Sequence, residues 1–189
     1  MPRLTPPTRD DIEKADRDLS DEMQAAMGQH ESGVAFTRAD GALLGPFVAL
    51  LRFPQFGRPA WQFTELFMGA HTLPNAVREI AILVVGSHFD ARFELYSHES
   101  LAKAAALSAR QVAAVAAGER PDGLTEPQET AWLVARRLVD GGQLPEMTYQ
   151  SALNTFGPDG MAELIYLVGS YLVVAVLING YGLTEPDTA

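Results

Sequence analysis

One segment limits the possible folds more than any other: Leu164 to Ile178, 15 residues with no charge, bracketed by Glu163 and Asn179. A bilayer-spanning helix needs about 20 such residues, so the run reads as a buried helix rather than an anchor. It is apolar on nearly every side, and such a helix has to be covered by other helices or by another subunit. The segment therefore asks for a helical surround and leads us to expect a homo-oligomer.

The rest of the chain carries helical signals and few strand signals. Residues 1–10 read as an extended arm, because Pro2, Pro6 and Pro7 remove donors and bias their neighbours away from helix. Ile12, Leu19, Met23 and Met27 suit a short surface helix or a pair of them within 11–28, and residues 31–40 suit a loop. Phe47, Leu50, Leu51 and Phe53 form an apolar helix ended by Pro54, and Pro59 is placed in the first turn of the next. Pro74-Asn75 opens a helix in which Val77, Ile80, Ala81, Val84 and Val85 recur at three and four; Asp90 is expected to cap another over about 91–106. Ser108 with Gln111 and Thr125 with Gln128 match capping boxes, and Gly118 and Gly141 suit the ends of the helices that follow. Segments 145–156 and 159–179 supply two more. The fold class is all-α, with an N-terminal arm and short helices over 1–40 and one compact helical domain over 41–189.

Composition narrows the function. With 14 basic and 24 acidic residues the net charge is −10, which opposes non-specific binding to nucleic acid or to an anionic membrane. There is no cysteine, hence no disulfide, thiolate nucleophile or thiolate metal site. Residues 1–7 lack the apolar core of a signal peptide, and the expected location is cytoplasmic.

Three titratable residues stand out. Glu94 and His98, four apart, share a helix face, and a carboxylate beside an imidazole can orient it for proton transfer near neutral pH. Glu79 lies on the preceding apolar helix, where an unpaired carboxylate is costly to bury, and a turn over 86–90 could fold it toward the same point. Structural alternatives stay open: Glu94 and His98 also suit a solvated helix face, and Glu79 also suits a salt bridge to Arg78 or to another helix. His88 could line the same pocket or be a core histidine. Tyr96 reads as packing, Tyr171 as core or subunit contact, and His30 and His71 as structural or exposed. No His-Glu-x-x-His pattern exists, so no metal is expected.

The run from Leu73 to Leu83 (LPNAVREIAIL), followed by Phe93 to Glu99 (FELYSHE) and Ala104 to Ser108, resembles the carboxymuconolactone decarboxylase family, which includes alkylhydroperoxidase D. The likeness is best over about 44–118, and residues 1–40 have no counterpart in it. The resemblance implies a compact helical bundle, assembled as trimers or hexamers with sites near subunit contacts. It also implies a proton relay in which Glu79 matches the family's glutamate and His98 its histidine. The cysteine positions of the peroxidase branch fall at Ala91 and Glu94, so thiol peroxidase activity is not expected. Glu94 is similar to the decarboxylase branch, whose reaction needs no cofactor.

The expectation that follows is a cofactor-free acid–base enzyme acting on a small carboxylated or lactone compound by decarboxylation, isomerisation or lactone hydrolysis. His98 would be the general acid/base, Glu94 would orient or tune it, and Glu79 would be its partner or a second proton carrier. Arg78 and Arg92 are the candidate carboxylate binders, with Arg52 a weaker one, since a guanidinium grips a carboxylate in a two-pronged fork. The alternative is a non-catalytic small-molecule-binding or assembly protein on the same scaffold.

Overall fold

The computed structural model describes residues 2–28, 33–69 and 71–186; His30 lies outside them. Among the described residues the elements are helical: α1 Arg17–Met27, α2 Phe47–Arg52, α3 Pro54–Glu65, α4 Asn75–Phe89, α5 Arg92–Ala104, α6 Ala109–Ala116, α7 Glu126–Asp140 and α8 Glu146–Tyr181. Single 3-10 turns, Arg9–Asp11 and Lys14–Asp16, precede them. An isolated bridge between Thr37 and Leu43 is the extended pairing seen among these residues. The all-α expectation holds.

The centre of the bundle is α4. Val77, Ile80, Ala81, Ile82, Leu83, Val84 and Val85 are all buried, so the middle of the helix is enclosed on every side. A helix of that kind is stable only when wrapped, and α5, α6, α7 and α8 surround it. The apolar run of α8 is covered less completely. Leu164, Leu167, Val168, Ala175 and Ile178 pack inward, while Ile165, Tyr166, Val173 and Val176 face outward, the last 60% exposed. Gly157, at φ 69°, followed by Pro158, breaks α8 into the two segments read from the sequence. By length and composition α8 could cross a membrane; here its inner face packs on α4 and α7.

Local signals explain most of the element ends. The capping boxes at Ser108 and Thr125 are formed: Ser108 N–H donates to Gln111 Oε1 at 3.0 Å and Thr125 N–H to Gln128 Oε1 at 2.9 Å. Two expectations need correction. Pro54, not Pro59, occupies the first position of α3, because Phe53 leaves the helical region (φ −132°, ψ 67°) and restarts the chain; Pro59 sits inside the helix. Asp90 does not cap α5. It takes a left-handed conformation (φ 49°) that closes α4, a role that aspartate tolerates better than most residues, and Ala91 precedes the first turn of α5.

The N-terminal segment is built into the molecule. Ile12, Leu19, Met23 and Met27 form a second apolar cluster with Leu43, Phe47, Leu50, Leu51 and Trp61, so packing runs across residue 40 without a boundary. Arg3 ties the extended arm to the end of α8, its backbone N–H donating to Tyr181 O (2.8 Å) and its Nη1 to Gly180 O (2.7 Å). This second cluster lies over α4, α5 and α8, and the space between the two layers is the site described next.

Candidate functional site

Between the layers lies a cavity of about 420 Å³, walled by α2 and α3 on one side and by α4, α5 and α8 on the other. Its size falls in the range of small-molecule sites, and its walls are mainly apolar, with Phe36, Phe47, Leu50, Phe67, Ile82 and Phe93 among them. Glu79, Glu94 and His98 all line it. The three residues singled out in the sequence are therefore brought to one place.

Their pairing differs from the one that helical spacing suggests. His98 Nδ1 lies 2.8 Å from Glu79 Oε2, across the α4–α5 interface, with both side chains largely buried (12% and 14% exposed). A carboxylate can only accept, so Nδ1 carries the proton and donates it, which leaves Nε2 as the nitrogen free to exchange a proton with a ligand. The ring is further fixed by Tyr171 of α8, which meets it edge to face at 5.0 Å between centroids. Glu79 thus orients His98, and Glu94, four residues away on the same helix, does not.

Glu94 is in a different state. It is 2% exposed, and neither carboxyl oxygen has a hydrogen-bond partner among the described residues. Burial alone pushes its pKa well above the ordinary 4.5, so the group is held protonated and neutral. Gly86 of α4 makes room for it: a Cβ there would stand 3.3 Å from Glu94 Oε1 and 3.1 Å from Leu95 Cδ2. Burial, with the charge of Glu79 adding to it, also raises the Tyr171 phenol, which stays un-ionised. A hydrogen-bonded His98–Glu79 dyad and a neutral carboxylic acid consequently share one apolar chamber, an arrangement that sets apart the two roles proton transfer requires.

The expected carboxylate binders fare otherwise. Arg78 lines the cavity, but its charge is paired with Glu163 and each Nη has a partner: Nη1 donates to Glu163 Oε1 at 3.0 Å and Nη2 to Phe67 O. Glu163 is itself saturated, its Oε2 accepting from Thr72 N–H (2.8 Å) and Leu73 N–H (3.1 Å). This buried group of contacts fastens the approach to α4 onto α8 and is structural. Arg92 is directed away from the cavity and pairs with Glu185 near the C-terminus. His88 lies near Asp140, Nδ1 to Oδ1 3.8 Å, outside the cavity wall. Arg52 is exposed. Arg92 and His88 are thereby corrected as site residues: His88 sits in the last turn of α4 and Arg92 at the start of α5, and neither lines the cavity that Glu79 faces. No group of three histidine, aspartate or glutamate side chains suited to a metal exists among the described residues.

Three lining residues were not identified from the sequence as site residues. The sequence suits Tyr171 to core or subunit contact and His71 to a structural or exposed place, and it carries no site signal at Trp61. Trp61 is fully buried, and its Nε1–H has no partner among the described residues. His71 is pushed below its ordinary pKa by burial and by the nearby Arg78, which favours its neutral form. No local signal marks any of the three, because each reaches the cavity through packing between layers. No protein-family model matches the chain, and no curated protein matches it.

Proposed function

We propose that the protein is a cofactor-free acid–base enzyme that moves a proton on a small molecule held in the cavity. The observation that carries this reading is the His98–Glu79 dyad, 2.8 Å apart and largely buried, in the same chamber as a neutral, unpartnered Glu94. An isolated surface dyad would have little effect, but both partners here are largely buried, where screening is weak. In the step we envisage, His98 Nε2 takes a proton from an acidic C–H of the substrate. The electron pair of that bond moves into the adjoining carbonyl as an enolate, whose oxygen is stabilised by the Glu94 O–H. In a β,γ-unsaturated substrate that enolate is a dienolate, and return of the proton from His98 to its γ-carbon shifts the double bond into conjugation and completes an isomerisation. Attack by a water that His98 deprotonates would open a lactone with the same groups.

The resemblance of the Arg78-Glu79 and Glu94 to His98 segments to the carboxymuconolactone decarboxylase family supports this reading, and the absence of cysteine argues against a thiol peroxidase. The same proposal keeps the protein in the cytoplasm and away from nucleic acid, and it includes self-assembly. The outward apolar stripe of Ile165, Tyr166, Val173 and Val176 supports assembly, since contiguous exposed apolar surface on a helix is commonly covered by a partner. A non-catalytic binding protein, the competing reading, would have no need of an oriented imidazole.

The test is His98→Ala alongside Glu79→Gln, assayed for proton exchange from carbon in deuterated buffer. We expect His98→Ala to abolish exchange and Glu79→Gln to lower it by about a hundredfold or more, since the amide no longer enforces the tautomer. Full exchange in a folded His98→Ala protein would sink the proposal.

A further inference from the structure

The charges around the cavity restrict what can enter it. Arg78 is the cation in the wall, and both arms of its guanidinium are already engaged by Glu163 and by the Phe67 carbonyl. His71 is disfavoured as a cation, and His98 is tied to Glu79. The wall contributes no lysine. A carboxylate ligand would lose its water and meet Glu79 with no free counter-charge, a penalty that excludes most anions from such sites. The polar groups without partners among the described residues are of the opposite kind: the Trp61 Nε1–H is a donor only, and a neutral Glu94 carboxyl has an O–H to give. Leaving buried donors unpaired is costly, and a ligand acceptor would relieve that cost.

We propose that the cavity takes a neutral, largely apolar carbonyl compound, a cyclic ketone or lactone without a carboxylate, whose carbonyl oxygen accepts from Glu94 while its ring lies among the aromatic walls. This rests on the acid–base reading for what happens next, but not for binding. The volume of about 420 Å³ suits a molecule on the order of a dozen non-hydrogen atoms. Such a ligand places its acidic α C–H beside the groups that would act on it, and its own neutrality matches the neutral acid that receives it. Trp61 supplies a second donor from the opposite layer.

The experiment titrates the full chain at pH 7 with three probes of similar shape: 1-tetralone, tetralin and 1-naphthoate. Calorimetry is expected to show 1-tetralone binding at least about tenfold more tightly than either tetralin, which lacks the acceptor, or 1-naphthoate, which carries the charge. In Glu94→Met, which exchanges a buried unpaired acid for an apolar chain of similar size, tetralone should lose about tenfold while tetralin is unchanged or gains. In Glu163→Gln, which loosens the hold on Arg78, 1-naphthoate should gain affinity. Equal or tighter binding of 1-naphthoate to the unaltered protein overturns the proposal, as does binding of none of the three or an undiminished tetralone affinity in Glu94→Met. Deuterium exchange at the α-carbon of bound tetralone separates the two readings: tight tetralone binding without exchange sustains the ligand class and defeats the acid–base function.

Discussion

Glu94 is the residue whose environment departs furthest from that of its type. An ionised glutamate at this position would be buried without a partner, so the folded protein keeps it protonated. Its folded-state pKa lies above the unfolded value, so from about pH 4.5 upward the unfolded chain releases a proton that the folded protein retains. Stability is therefore full below that pH and declines as pH rises toward the folded value, by up to about 1.4 kcal/mol per pH unit for this one group. Glu94→Gln removes the titration. Urea unfolding at pH 5 and pH 8 should show the variant gaining on the parent protein at the higher pH. An identical difference at both pH values would mean that Glu94 is not the buried neutral acid described here. The same residue shows what local spacing can and cannot disclose. Glu94 and His98 are on one helix face as their spacing requires, yet the imidazole bonds Glu79 on another helix. A four-residue interval gives nearness of Cβ atoms, and the partner is decided by which carboxylate the inter-helix packing aims at the ring.

At the level of elements, the site depends on the corner between α2 and α3. Gly57 lets the two helices close: a Cβ there would stand 1.9 Å from the Leu50 carbonyl oxygen, which is backbone and cannot swing aside. Gly57→Ala should cost about 3 kcal/mol or more and open the wall that carries Phe47 and Trp61. A denaturant midpoint within error of the parent would contradict this account of the corner. That corner was half legible. Pro54 marks it, and the helix after it was expected, but Pro59 was read as its start because a proline in a helix interior is rare. Interior placement is tolerated here because packing of Trp61 and Gly57 against the second apolar cluster holds the helix. Likewise Asp90 has the composition of a cap, and only the path of the backbone between α4 and α5 makes it a left-handed terminator instead.

For the molecule as a whole, two layers and an uncovered stripe determine behaviour in solution. The first layer is the bundle around α4; the second is the N-terminal cluster around Trp61, which roofs the cavity. Ile165, Tyr166, Val173 and Val176 leave one side of α8 largely exposed, although Phe63 of α3 meets the Tyr166 ring edge to face at 6.4 Å and Val173 reaches the cavity wall. Under the proposed self-assembly, light scattering at micromolar concentration should give a multiple of the single-chain mass, and the double substitution Tyr166→Lys with Val176→Lys should reduce it toward one chain. A single-chain mass for the unaltered protein would remove assembly from the proposal.

By itself, the sequence determined the helical class, most helix ends, the exclusion of thiol chemistry and the three residues at the heart of the cavity. Those follow from periodicity, caps and composition, all of which act over a few residues or none. Tertiary structure alone decided which carboxylate orients His98, that Glu94 is neutral, and that Arg78 is consumed by Glu163, 85 positions further along. It also decided that Met27, Phe36, Phe47, Leu50 and Trp61 roof the site and that α4, rather than the apolar run of α8, is the wrapped centre. The reason is common to all of these. Charge state, hydrogen-bond partner and exposure are set by what other parts of the chain pack against a residue, and helices distant in sequence supply most of those neighbours here.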